Sequence, residues 1–78
     1  MRCVYEDGTK KVLEYSDSLD LSRIIEINAT GLRVVEWTLE LPEGLQIFTI
    51  DNNELTEWNV KLPEGLQIFS IHYNKLTE

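Results

Sequence analysis

Only one cysteine, Cys3, and one histidine, His72, occur in the 78 residues. One cysteine cannot close an internal disulfide. Cys3 and His72 together fall short of the roughly four ligands that a structural zinc takes. The usual staples of a small domain are therefore missing. Basic residues are few and scattered: Arg2, Lys10, Lys11, Arg23, Arg33, Lys61 and Lys75 face fourteen acids, for a net charge of −7. Phosphate recognition needs clustered positive charge, so no direct contact with nucleic acid is expected. No apolar run is long enough to span a bilayer, which argues against a membrane partner, and Met1 to Asp7 lacks the apolar stretch of a secretory signal. A lone cysteine suits a reducing compartment. The expected location is the cytoplasm, with export lacking a cleaved signal left open, and the initial Met is read as a natural start.

Chemistry-bearing constellations are scarce as well. Cys3 and His72 stand at opposite ends of the sequence. The carboxylate pairs Glu40/Glu43 and Glu54/Glu57 read as a solvated surface, because general acid catalysis wants a carboxyl in a pocket. Asp51-Asn52-Asn53-Glu54 lacks the ligand spacing and the glycine of a calcium loop. No glycine-rich phosphate loop is present. No enzyme, metal or cofactor is expected. Asn28-Ala29-Thr30 fits a glycosylation acceptor, which carries no meaning without secretion.

What the sequence does contain is a repeat. Residues 41–56 read LPEGLQIFTIDNNELT and residues 62–77 read LPEGLQIFSIHYNKLT. The offset is 21 residues, and twelve of the sixteen positions are identical. The differences are Thr49/Ser70, Asp51/His72, Asn52/Tyr73 and Glu54/Lys75. Each copy has the spacing L-x-x-F-x-I-x-x-N-x-L, carried by Leu45, Phe48, Ile50, Asn53 and Leu55, then by Leu66, Phe69, Ile71, Asn74 and Leu76.

This pattern resembles the leucine-rich repeat, L-x-x-L-x-L-x-x-N-x-L in units of roughly 20–29 residues, with Phe in place of one Leu. The LPEGL and N-x-LT segments look most like the short repeats of bacterial effector-type proteins. The resemblance implies a curved parallel solenoid that binds other proteins. A degenerate first unit is sought by stepping back 23 residues. It places Ser22, Ile25, Ile27, Thr30 and Leu32 on the motif, with two extra residues between Leu32 and Trp37. The expected fold is mainly β, a leucine-rich-repeat solenoid of about three coils. Its units are 22–44, 45–65 and 66–78, and residues 1–16 form a hairpin cap.

Period-two alternation around Phe48-x-Ile50 and Phe69-x-Ile71 predicts short strands with one buried face. A fixed interval lets them stack in parallel. Asn53 and Asn74 then stack at the turns, where their amides can satisfy buried backbone groups. Pro42 and Pro63 keep the return legs from being helical, and Gly44 and Gly65 are expected to supply tight turns. Trp37-x-Leu39-x-Leu41 and Trp58-x-Val60-x-Leu62 alternate, which predicts extended returns with the two tryptophans in the core. Residues 3–5 and 11–15, joined through Asp7-Gly8, read as a β-hairpin, and one helical turn is expected over 19–23.

The last strand, residues 67–72, is expected to present an open edge. Self-association, a covering partner and tolerated fraying all remain open there, and an edge-to-edge homodimer is the preferred reading. The outward strand face is expected to carry an apolar column, Ile24, Ile47 and Ile68. Glu26, Thr49, Asp51, Ser70 and His72 lie beside it, and Tyr73 follows. This column reads either as a stripe for an unidentified protein partner or as β-branched residues that a sheet favours. Ile47→Glu is expected to leave the fold intact and abolish capture. From Val34 onward eight acids face Lys61 and Lys75. That keeps two further readings alive, an acidic mimic of nucleic acid that blocks a basic protein, and a self-associating structural element.

Overall fold

A computed structural model describes residues 1–76. Thr77 and Glu78, the last two positions of the third unit, lie outside the described residues. The strands are β1 (Arg2–Tyr5), β2 (Lys10–Val12), β3 (Ile24–Asn28), β4 (Ile47–Thr49) and β5 (Ile68–Ser70). They form one mixed sheet in the order β2-β1-β3-β4-β5. Among the described residues there is no helix, and hence none long and apolar enough to cross a membrane.

The hairpin forms around the Asp-Gly turn. Tyr5 N–H donates to Thr9 O at 2.8 Å, Gly8 has φ +89°, and Asp7 Oδ1 accepts from Thr9 N at 2.9 Å. Those bonds to Thr9 hold the Asp7 carboxyl below its usual range. β1 then pairs antiparallel with β3, Cys3 opposite Ile27 and Val4 opposite Glu26. Met1 and Cys3 are buried there, so the hairpin closes one edge of the parallel strands. The helical turn expected over 19–23 is absent. Asp20 Oδ1 instead accepts from Ser22 N at 2.9 Å, and Arg23 adopts φ 67°, which no helix continues.

β3, β4 and β5 are parallel, and their register corrects the first unit. Glu26 pairs with Ile47 and Ile47 with Ile68; Ile27 pairs with Phe48 and Phe48 with Phe69. The interval is therefore 21 residues throughout, not 23 at the first step. Ile24 takes the place of Leu45, Ala29 that of Ile50, Leu32 that of Asn53 and Val34 that of Leu55. No insertion lies between Leu32 and Trp37. The physical reason is packing: this register buries Ile24, Ile27, Ala29 and Val34 in the core, with Ile24 and Ile27 opposite the hairpin strand β1, whereas the longer step would bury polar Ser22.

Core residues follow the repeat. Leu45, Phe48, Ile50 and Leu55 are all 0% exposed. Burying one such side chain stabilises by about 1.5–3 kcal/mol. Phe48 sits between the two tryptophans, 5.0 Å from Trp37 and 5.7 Å from Trp58, and stacks on Phe69 at 5.7 Å. Trp37 donates its indole N–H to Leu39 O at 2.7 Å, whereas Trp58 Nε1 is buried with no partner among the described residues. The return legs are irregular chain, yet burial alternates along them as expected, with Trp37 and Leu39 inside and Thr38 and Glu40 outside. The turns at Pro42 and Pro63 close through Leu45 N to Pro42 O at 3.1 Å and Leu66 N to Pro63 O at 3.2 Å. Neither Gly44 nor Gly65 has positive φ, so these turns do not use glycine's freedom.

Asn53 anchors the middle of the structure. Its Oδ1 accepts from Leu32 N at 3.0 Å and Val34 N at 2.9 Å, and its Nδ2 donates to Ala29 O, Ile50 O and Asp51 O. Asn74 repeats the role one unit on, accepting from Leu55 N at 3.1 Å and donating to Ile50 O and Ile71 O. Thr30, aligned with these asparagines by the longer step, lies outside this column.

Candidate outward binding face

Alternation along the strands sends every second side chain away from the core. The register makes two rows across the sheet. One runs Lys10, Val4, Glu26, Ile47, Ile68, and the other Val12, Arg2, Asn28, Thr49, Ser70. Ile47 and Ile68 are neighbours as expected, and Ile68 is 53% exposed. Ile24 does not join them. It is fully buried in the core, because the β1–β3 register slips by one residue between the Val4/Glu26 and Tyr5/Ile24 pairs, and this bulge breaks the alternation that would otherwise put Ile24 on the face of Glu26. Glu26 holds the place assigned to Ile24, so the apolar column is two residues wide and ends against a carboxylate.

Beyond the strands, Asp51, Ser70 and His72 form one network. Asp51 Oδ1 accepts from Ser70 Oγ at 2.7 Å and from the backbone N of His72 at 2.8 Å. Ser70 Oγ also lies 3.2 Å from His72 Nδ1. The serine has one proton and gives it to Asp51, so the imidazole proton must be on Nδ1, pointing at Ser70 Oγ. A nucleophilic serine needs the reverse arrangement, with the imidazole accepting the hydroxyl proton and a carboxylate behind it. Here the serine sits between the other two, and the network fixes side chains in place without activating the hydroxyl. Cys3 takes no part. It is buried on β1, with β3 and β4 between it and β5, and burial pushes its thiol pKa up. Among the described residues no three His, Cys, Asp or Glu side chains come together to hold a metal ion.

Tyr73 completes the face and is its least ordinary residue. It is 79% exposed, its ring meets that of His72 edge-on at 6.3 Å, and its φ is +60°. Gly31 and Asn52, two units and one unit earlier, share that left-handed conformation with φ 71° and 56°. Each follows its strand at the same point. The N–H of Gly31 donates to Asp51 O at 3.1 Å and that of Asn52 to His72 O at 2.9 Å. This left-handed column was not foreseen from the sequence. Gly31 and Asn52, two residue types that tolerate positive φ, mark it once the 21-residue step is applied to the first unit.

On the opposite side a groove of about 840 Å³ runs between the return legs. Leu41, Val60 and Leu62 line it, and Glu40, Glu43 and Glu64 stand around it. Comparison of the chain with protein families, with characterised proteins and with solved structures found no match.

Proposed function

We propose that the chain is a short leucine-rich-repeat solenoid whose outward sheet face binds another protein, and that it has no catalytic role. The 21-residue register over three parallel strands and the Asn53/Asn74 column support the repeat reading. Tyr73 carries the functional reading. A bulky side chain in the left-handed region costs stability, and here no burial offsets that cost. The equivalent Asn52 meets the same backbone demand without it. An exposed aromatic at such a position, against His72 at the far end of the strands that carry Ile47 and Ile68, has the composition of an interface anchor. The Asp51–Ser70–His72 network would hold the polar part of the surface rigid, which lowers the ordering cost of binding. The fitting partner presents an apolar side chain to Ile47 and Ile68 and a donor or base to Glu26 and Asp51.

The test is capture from a lysate of the source cell by immobilised chain, with mass-spectrometric readout. Because Glu26 neighbours Ile47, Ile47→Lys is a cleaner probe than Ile47→Glu, which would set two carboxylates side by side. Ile47→Lys and Ile68→Lys should lose a species that the wild type and the groove variant Glu43→Gln retain, with circular dichroism unchanged. Retention at full strength by both lysine variants refutes the face. Steep loss of capture with salt alone, indifferent to the lysine variants, would favour the acidic-mimic reading.

A further inference from the structure

We infer that two copies of this chain pair through the outer edge of β5, antiparallel about a two-fold axis passing beside Ser70. This stands apart from the outward-face reading, because it uses the edge of the sheet and not its face.

The flank of the last unit nearly duplicates a flank that is covered within the same molecule. Leu45, Phe48, Ile50 and Leu55 lie under the next unit and are fully buried. Leu66, Phe69 and Ile71 repeat them, yet are only partly buried, and Leu76 is 42% exposed. Ile50 donates its N–H to Ser70 O at 2.8 Å, so the Ser70 carbonyl faces β4. Alternation along a strand then turns the N–H and C=O of Phe69 and Ile71 to the other side, where no strand pairs with them among the described residues.

Two further observations select a second copy as the occupant and set its orientation. The first is charge. Residues 34–57 hold six acids and no base, whereas residues 58–78 hold Lys61, Lys75, Glu64 and Glu78, which cancel. A chain of net charge −7 thus brings its least charged end to the contact. The second is the other edge of the sheet. β2 is exposed along its whole length and carries Lys10, Lys11 and Val12, with no apolar flank to match Phe69 and Ile71. Head-to-tail stacking would set apolar against charged, while like-to-like pairing sets apolar against apolar. Like-to-like pairing is two-fold and closes after two copies.

The register follows from the free groups. Phe69 opposite Ile71 of the second copy, and Ile71 opposite its Phe69, uses both outward N–H and both outward C=O groups on each side. Ser70 then faces its own counterpart as a non-hydrogen-bonded pair, Cα atoms about 4.5 Å apart. That separation lies within the range a disulfide spans, about 4.4–6.8 Å.

Sedimentation equilibrium over a wide concentration range should show the 9.1 kDa chain doubling in mass as concentration rises. Leu76→Lys should shift it to monomer. Under mild oxidation Ser70→Cys should form a reducible covalent dimer, and Ile68→Cys, off the axis, should not. Cys3 is buried and does not compete. A single-chain mass at every concentration overturns the inference. So does a wild-type dimer that Leu76→Lys leaves intact, or one in which Ile68→Cys cross-links and Ser70→Cys does not. The wild-type measurement decides even where a variant fails to fold.

Discussion

Asn52 and Tyr73 stand one repeat apart and share one backbone conformation, φ 56° and 60°, although only asparagine is suited to it. An L-residue in the left-handed region brings its Cβ against the following carbonyl, at about 1–2 kcal/mol. Asparagine and glycine meet that demand at less cost. The last unit therefore stores a small strain at an exposed aromatic on the rim of the outward face.

Tyr73→Asn should raise stability by roughly 0.5–1 kcal/mol. The proposed partner should bind the variant more weakly. Urea denaturation reads the first effect and the capture experiment the second. A drop in stability would show that the ring packs where it is drawn as exposed, and would remove the case for an anchor.

Asn53→Ala should be the costliest polar substitution in the chain. It would orphan the N–H groups of Leu32 and Val34 and the carbonyl of Ala29, all near the core. The expected loss is about 3 kcal/mol. Asn74→Ala, at the more exposed last unit, should cost about 1 kcal/mol by the same measurement. Equal losses would mean that the two asparagines do not differ in burial as described.

The four glycines should divide into two classes. Gly31 has φ 71° and Gly8 φ 89°, so alanine at either should destabilise by roughly 1 kcal/mol. Gly44 and Gly65 have ordinary φ and open space around a built Cβ. Alanine there should stabilise by about 0.4–1 kcal/mol, by restricting the unfolded chain. Thermal melts of the four single variants would sort them.

Acid should weaken the fold through Asp7 and Asp20. Hydrogen bonds from Thr9 and from Ser22 lower their carboxyl pKa values below the usual 3.8. A depressed folded-state pKa gives stability that is complete above the unfolded value and lost as pH falls through the folded one. Wild-type stability should therefore decline as pH drops below about 4, and the Asp7→Ala, Asp20→Ala double variant should decline less over that window. Parallel curves would exclude these two turns as the acid-sensitive elements.

Much of this architecture was legible in the residue order. The identity of residues 41–56 with 62–77 gave the parallel pairing of β4 and β5, and Asp7-Gly8 gave the hairpin. Asn53 was legible as a backbone ligand, because a buried turn needs its amide. The first unit was misread because it resembles the motif in two registers: Ile25-x-Ile27 fits Phe48-x-Ile50 as well as Ile27-x-Ala29 does. Composition could not choose between them, and that error put Ile24 on the wrong side of the sheet.

The sequence by itself determined the period, because identical spacing in successive units lets like side chains stack without altering the backbone. Tertiary structure decided what depends on neighbours distant in the chain. The hairpin covers Ile24 and Ile27, which selects the register of β3. Ser70 reaches Asp51 across a strand, a bond that spans 19 residues. Tyr73 is left-handed because its unit inherits the bend of the two before it. Hydrophobic burial along the chain is indifferent to such contacts, and only packing in three dimensions distinguishes them.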